Sequence, residues 1–148
     1  NVIAPVMTEK NGGAWRQTIY YPFLHASLYG RGTVLQPLTD CMKHATSTHG
    51  EISDIVSVAV MNEESEEVTI FAVNRNLEED VALTSDIRTF EGYKEVEHIV
   101  ITGDDLKAEN SVEEEKVYPE NVPPGTFNGG FLTTVLKKAS WNVIRLKK

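Results

Sequence analysis

Several features that mark common functional classes are scarce or missing in this chain of 148 residues. It has one cysteine, Cys41, which excludes an internal disulfide, and it has no CxxC or close His/Cys spacing that could build a zinc site. No Asn-x-Ser/Thr sequon occurs. We therefore expect no metal and no cofactor, and we expect Cys41 to be a plain thiol in a loop.

Basic residues are also scarce, since 14 Lys and Arg stand against 22 Asp and Glu, for a net charge of −8. This balance repels phosphate backbones and anionic lipid, so neither nucleic acid nor a membrane is an expected partner. No apolar run approaches the ~20 residues that span a bilayer, and no signal peptide pattern is visible. We expect a cytoplasmic protein rather than a secreted one.

Alternation of apolar and polar residues dominates the chain after residue 32. It predicts seven strands, at 33–38, 55–61, 68–74, 81–87, 93–102, 131–138 and 140–148. Between them we expect a polar loop over 41–51, a hairpin turn at 62–67 and a long acidic loop over 103–130. The pattern predicts a mainly β fold, an antiparallel sandwich of the jelly-roll type.

The segment "VTIFAVN" is apolar on both faces of a strand. Val68, Ile70 and Ala72 alternate with Thr69, Phe71 and Val73. A strand with two apolar faces is covered on both sides, so we expect a central strand here.

The stretch "GGAWRQTIYYPFLHASLYGRG", residues 12–32, departs from this pattern. Its apolar residues have a helical spacing, at Ile19, Phe23, Leu24 and Leu28. Pro22 is tolerated only in a first turn, so the helix should begin within residues 18–21, and the glycines at 30 and 32 should end it. We expect Trp15, Arg16 and Gln17 in a loop before the helix, with its apolar face against the sandwich or a neighbouring chain.

Titratable side chains are numerous but poorly placed for catalysis. The acidic runs at 63–67, 78–80 and 113–115 are typical of solvated turns. Asp104 and Asp105 with Asn110 leave a calcium loop open as an alternative, although their spacing lacks the alternating oxygen pattern. We expect structural or surface roles for the four histidines, which are His25, His44, His49 and His98.

Aromatic side chains could in principle stack on a sugar ring. Trp141 is the first candidate, but its alternation with Asn142 and Ile144 favours burial. Tyr93 and Tyr118 are expected to be more exposed, and neither has a partner that the sequence identifies.

A resemblance to a known family rests on an ordered series of segments. These are "NVIAPVMTE", "GGAWRQTIYYPFLHASLYGRG", "VSVAVMNEESEEVTIFAVNRNLEEDVAL", "FEGYKEVEHIVITGDDLKAEN" and "SWNVIRL". Together they resemble the C-terminal region of the family 51 glycoside hydrolases, the α-L-arabinofuranosidases. The resemblance covers nearly the whole chain, with interruptions at 40–52 and 111–130.

This resemblance implies two parts of a larger enzyme. Residues 1–31 would be the end of a (β/α)8 catalytic barrel, with 1–6 closing its seventh helix, and residues 32–148 would be the C-terminal sandwich. Retention of configuration needs two carboxyl groups about 5 Å apart. The resemblance places both catalytic glutamates before Asn1, so no catalytic residue is expected in this chain. Gln17 matches a glutamine that binds arabinose, and Trp15 would line the same mouth.

The expected partners follow from the same resemblance. They are the catalytic barrel, arabinose-containing saccharides such as arabinan and arabinoxylan, and further copies in a homo-oligomer. The chain alone is expected to be inactive and to support the barrel. Two alternatives remain open: a carbohydrate-binding module with its own affinity for polysaccharide, and a purely structural interaction sandwich.

Overall fold

The structure is a computed structural model that describes residues 4–148. In that range it has thirteen strands and one helix. In chain order they are β1 Val6–Thr8, β2 Ala14–Arg16, α1 Tyr20–Tyr29, β3 Thr33–Leu35, β4 Lys43–Thr46, β5 Gly50–Ser53, β6 Ile55–Asn62, β7 Glu67–Asn74, β8 Val81–Asp86, β9 Lys94–Ile101, β10 Glu120–Val122, β11 Thr126–Asn128, β12 Phe131–Leu136 and β13 Ser140–Lys147. No helix in this range is long and apolar enough to cross a membrane.

Two antiparallel sheets form the body of the molecule. One has six strands in the order β10-β9-β13-β7-β6-β3, and the other has three in the order β11-β12-β8. Two hairpins, β1–β2 and β4–β5, stand apart from them. The prediction of a mainly β, antiparallel fold preceded by a helix is confirmed.

The main core lies between the two sheets. Buried aliphatic residues of the six-stranded sheet meet those of β12 and the end of β8, and they are Ile55, Ala59, Val68, Ile70, Ala72, Ile87, Leu132, Leu136, Ile144 and Leu146. Complete burial of one such side chain contributes about 1.5–3 kcal/mol. This apolar contact holds the sandwich together.

Strand β7 is central, as its two apolar faces predicted. It pairs with β13 on one side and β6 on the other. Ile70 and Ala72 belong to the core between the sheets, whereas Phe71 packs with Val143 on the opposite face. That opposite face, which we call the outer face, is partly covered by α1 through Tyr29.

The expected polar loop over 41–51 is wrong, because β4 and β5 form an antiparallel hairpin there. His44 Nδ1 lies 2.5 Å from the Asp54 carboxylate, which is buried and also accepts from Asn76. The His44 contact lowers the pKa of Asp54. The hairpin is therefore fixed at its base by polar side chains, which carry no alternating apolar signal.

The expected long loop over 103–130 is also interrupted. Strand β10 pairs with β9, and β11 pairs with β12. Each has three residues, too few for a period of two to be recognisable. The part between β9 and β10, residues 102–119, remains a loop. It lies next to residues 4–30, which we call the N-terminal segment.

The N-terminal segment differs from expectation in two places. Trp15 and Arg16 belong to β2, which pairs with β1, rather than to a loop. Of the predicted end of a helix at 1–6, residues 1–3 lie outside the described residues. Ala4 and Pro5 are irregular and Val6 begins a strand, so the prediction is wrong there.

Helix α1 begins and ends where the sequence predicted, but it buries another face. Tyr21 and His25 are buried, whereas Phe23 and Leu28 are 67% and 56% exposed. The buried pair and Tyr29 follow one another at intervals of four, so they share one face. The apolar face at Phe23 and Leu28 therefore does not pack on the sandwich, and its contact with a neighbouring chain stays a prediction.

Candidate functional site

Gln17 lies between the β1–β2 hairpin and the first turn of α1. Its backbone N–H donates to the Pro5 carbonyl at 2.8 Å, and its carbonyl accepts from the Tyr20 N–H at 2.9 Å. The residue is half-buried. These two hydrogen bonds fix the backbone of Gln17 and therefore the point from which its side chain extends.

The Gln17 side chain contacts the loop between β9 and β10. Its Nε2 donates to the carbonyl oxygen of Asn110 at 3.3 Å. The Asn110 side chain donates to the Arg16 carbonyl at 3.0 Å and the Val117 carbonyl at 2.8 Å, and it accepts from the Val117 N–H at 2.8 Å. A loop of the sandwich is therefore bound to the Trp15-Arg16-Gln17 stretch.

Charged contacts join the same two regions near the start of α1. The Tyr21 hydroxyl donates to the Glu115 carboxylate. Arg16 Nε lies 3.8 Å from that carboxylate, and the Arg16 guanidinium stands 5.7 Å from the Tyr20 ring centre. Arg16 and Glu115 are both substantially exposed, so their pair adds little stability.

A small cleft separates β2 from residues 111–115. It has a volume of about 200 Å³, and Trp15, Arg16 and Glu115 line it. Trp15 is half-buried, and its Nε1 is buried without a hydrogen-bond partner in the described part of the chain. A Cβ on Gly13 would lie 2.4 Å from Val112, so glycine permits the close approach of the loop. Donors and carboxylate acceptors in one cleft suit a hydroxylated ligand.

Two of the side chains considered for a calcium site, those of Asp105 and Asn110, make hydrogen bonds to backbone groups instead. The Asp105 carboxylate accepts from the Lys107 N–H at 2.9 Å, and the Asn110 amide oxygen accepts from Val117. Among residues 4–148 no three His, Cys, Asp or Glu side chains are grouped to hold a metal ion.

Helix α1 is held to the outer face by aromatic and polar contacts. Trp141 Nε1 donates to His25 Nδ1 at 3.1 Å. Burial lowers the pKa of His25, and the negative charge of Glu97 partly opposes this. The neutral imidazole is therefore the favoured form, and it is the form that can accept at Nδ1.

Arg145 forms the second contact between α1 and the sheet. Its guanidinium lies 4.1 Å from the Tyr29 ring centre, a cation–π distance. It also donates to Glu67 at 2.6 and 3.0 Å and to Glu97. These carboxylates, Glu67 above all, raise the pKa of Arg145 further. The ion pairs and the ring hold α1 in one position on β13.

Three of the remaining candidate residues, Trp141, Tyr93 and Cys41, pack against apolar parts of the structure. Trp141 is half-buried, as favoured, but it lies under α1 rather than between the sheets. Tyr93 packs on the main core, and Tyr118 is exposed. Cys41 is a half-buried free thiol that packs against the main core.

Part of the outer face beside α1 is apolar and exposed. Val34, Val56 and Val58 are 68%, 48% and 40% exposed, and they line a groove of about 350 Å³ with Ala26 of α1. Together with the exposed Phe23 and Leu28 of the helix, they form what we call the outer patch. Several large apolar side chains exposed on one part of a soluble protein often mark a surface that packs against a partner.

The fold and these contacts define a class, an antiparallel β-sandwich with an N-terminal helix packed on its outer face. A family model described as the alpha-L-arabinofuranosidase C-terminal domain matches residues 1–140, and the chain belongs to this family. The resemblance to family 51 glycoside hydrolases is thereby confirmed.

Individual relatives agree with this assignment. The chain is 59% identical to the intracellular exo-alpha-(1->5)-L-arabinofuranosidase of Acetivibrio thermocellus, over all of this chain and 30% of the relative. It is 44% identical to the intracellular exo-alpha-(1->5)-L-arabinofuranosidase 1 of Bacillus subtilis, again over all of this chain and 29% of the relative. The chain thus spans less than a third of the curated relatives' length.

Solved structures give the same fold. A family 51 alpha-L-arabinofuranosidase from Bifidobacterium longum superposes with a TM-score of 0.90 at 30% identity, over 100% of this chain and 28% of that one. The GH51 enzyme from Thermotoga petrophila superposes with a TM-score of 0.72 at 18% identity, over 95% of this chain and 31% of that one, which supports the fold alone.

Proposed function

We propose that this chain is the C-terminal part of a retaining α-L-arabinofuranosidase, which removes terminal arabinofuranosyl units from arabinan- or arabinoxylan-type saccharides. The observation that carries the proposal is the family match over residues 1–140, which includes the Trp15-Arg16-Gln17 stretch. Relatives named intracellular exo-alpha-(1->5)-L-arabinofuranosidases support it, and they also support a cytoplasmic location.

Gln17 is the residue that we propose to contact arabinose. Its backbone is fixed by Pro5 and Tyr20, and its amide is anchored at one end by Asn110. An amide can donate and accept at the same time, which suits neighbouring ring hydroxyls. Trp15, which lines the adjacent cleft, is proposed to line the same mouth.

The sandwich is proposed to hold the end of the catalytic barrel rather than to carry out chemistry. The outer patch is proposed as the surface where the remaining barrel helices pack, because it continues the contact that α1 already makes with the sheet. Aliphatic side chains on the barrel helices would match it. We further propose that the complete enzyme is a homo-oligomer, which sedimentation at several concentrations would test.

The proposal that the barrel carries out the chemistry and the sandwich supports it is tested with an aryl α-L-arabinofuranoside. The 148-residue chain alone should be inactive, and the same chain joined to its catalytic barrel should hydrolyse the substrate. Gln17→Ala in the complete enzyme should lower kcat/KM by about tenfold or more, since a lost contact to a reacting sugar weakens transition-state binding. Comparable rates for the isolated chain would contradict the proposal.

A titration of the 15N-labelled chain with arabinan oligosaccharides separates this proposal from a stand-alone carbohydrate-binding module. We expect no saturable shift changes in β6 to β13. Saturable shifts on one sheet face would favour the binding module instead.

A further inference from the structure

Asn110 is a buried amide in the loop between β9 and β10. The residue is 3% exposed, and its side chain makes three hydrogen bonds to backbone groups. Two of them, to Val117, close the loop on itself, and the third, to the Arg16 carbonyl, joins the loop to the end of β2. A buried amide with its donors and acceptor engaged fixes its surroundings in one geometry.

The backbone of Asn110 in turn fixes the side chain of Gln17. The Asn110 carbonyl accepts from Gln17 Nε2 at 3.3 Å. An amide group is planar, so engaging its nitrogen restricts the directions open to Oε1, the end that accepts from a ligand hydroxyl. Two bonds thus join Asn110 to consecutive residues, one to Arg16 and one to Gln17.

Other contacts hold the same loop against the same segment. Val112 lies where a Cβ on Gly13 would otherwise stand, and Glu115 accepts from the Tyr21 hydroxyl. Residues 110–117 therefore pack against β2 and the start of α1. The loop belongs to the sandwich, which begins after α1, whereas Gln17 precedes it in the chain.

We infer that Asn110 is a positioning residue for the arabinofuranoside site: through it, the sandwich orients the Gln17 amide toward the sugar. The inference rests on the proposed function, and it deepens it. The C-terminal domain then contributes to substrate binding without touching the substrate.

A double-mutant cycle in the complete enzyme tests this role. The variants are Gln17→Ala, Asn110→Ala and the double variant, each assayed with an aryl α-L-arabinofuranoside well below its unfolding temperature. Asn110→Ala should lower kcat/KM about three- to tenfold, the factor expected for one weakened hydrogen bond. The double variant should be no worse than Gln17→Ala, because Asn110 acts only through Gln17.

Asn74 provides a matched control. It is 1% exposed, and its side chain donates to the carbonyls of Glu79, Leu136 and Lys137 at 3.0–3.2 Å. None of these three partners lies in residues 4–30 or 110–117. Asn74→Ala should destabilise the protein without changing kcat/KM. Equal losses of activity for Asn74→Ala and Asn110→Ala would overturn the inference, and so would an unchanged effect of Asn110→Ala when Gln17 is already alanine.

Failure of the proposed function is recognised separately. If Gln17→Ala leaves kcat/KM unchanged, the assignment of Gln17 is wrong, and the inference is lost with it. If Gln17→Ala is impaired but Asn110→Ala is not, only the inference is overturned.

A readout without substrate uses the 148-residue chain itself. The side-chain NH2 signals of Gln17 in a 15N spectrum should show one proton shifted by the bond to Asn110, with slowed exchange. Asn110→Ala should move these signals to the positions of a solvated glutamine, whereas Asn74→Ala should not. Solvated Gln17 signals in the unsubstituted chain would contradict the inference.

Discussion

The inter-sheet core and the N-terminal segment, residues 4–30, are stabilised by different kinds of contact. The core consists of aliphatic side chains with little or no exposure, such as Leu132, Leu136 and Ile144. The segment is held by single polar or aromatic contacts, and it leaves Phe23 and Leu28 in solvent. The apolar core between the sheets is closed to solvent, whereas the segment exposes large apolar side chains.

The largest expected effect lies in the core. Leu132→Ala removes a fully buried side chain between the sheets, and it should lower the free energy of unfolding by about 2–5 kcal/mol in urea titrations. Leu28→Ala in α1 is the matched control and should change it by less than about 0.5 kcal/mol. Similar losses for both would mean that the helix is packed as firmly as the core.

An intermediate effect is expected where α1 meets the sheet. Arg145→Ala removes the ring contact with Tyr29 and leaves Glu67 and Glu97 without their shared partner. We expect a loss of about 1–3 kcal/mol, because partly buried carboxylates would remain unpaired. Arg88→Ala, whose partner Asp86 is exposed and has its pKa lowered to about 2 by Arg88, should cost much less. An equal cost for both would show that Arg145 acts only as a surface charge.

These comparisons also show how far the sequence predicts the fold. Alternation located β6 to β9 and β12 to β13 within about two residues, because each has six to eight residues and one face in the core. It missed the β4–β5 hairpin, which depends on the contact between His44 and Asp54. A pattern of apolar residues does not register a contact between two polar side chains at the base of a hairpin.

The helix and the site show the same limit. Tyr21, His25 and Tyr29 recur every four residues, so the sequence does contain the spacing of the buried helix face. That face packs because His25 contacts Trp141 and Tyr29 contacts Arg145, more than a hundred residues later in the chain. Trp15 and Gln17 were identified through the family resemblance, and their roles remain predictions. Asn110 contacts Gln17 and Glu115 contacts Tyr21 across 93 and 94 residues of chain, a proximity that no local pattern encodes.

Acid should weaken the contact between α1 and the sheet. The folded-state pKa of His25 lies below the ordinary 6.5, so the unfolded chain takes up the proton first. The stability from neutral His25 is present above about pH 6.5 and falls as the pH drops below it. In a Trp15→Phe background, Trp141 emission should shift to longer wavelength between pH 7.5 and 5.5.

The control for this titration is His25→Gln, which keeps an acceptor for Trp141 but does not titrate in this range. It should remove the shift in emission. Burial also lowers the pKa of His98, which bonds Asn142 on the other side of the sheet. A shift that persists in His25→Gln would assign the effect to His98 and contradict the account of the helix.

The smallest effect on stability is expected in the outer patch. Phe23→Ser should change the free energy of unfolding of the isolated chain by less than about 0.5 kcal/mol, because this side chain is 67% exposed. In the complete enzyme the same change should weaken barrel packing and lower the melting temperature. Equal small effects in both proteins would remove Phe23 from the proposed contact.

Hydrogen exchange of the chain alone and within the complete enzyme tests the central claim most directly, since it compares the two regions in one measurement. In the isolated chain, the amides of α1 should exchange much faster than those of β7 and β13. In the complete enzyme, protection of α1 should rise towards theirs, while β7 and β13 change little. Equal and unchanged protection of α1 in both proteins would contradict the claim that residues 4–30 are completed by a catalytic domain.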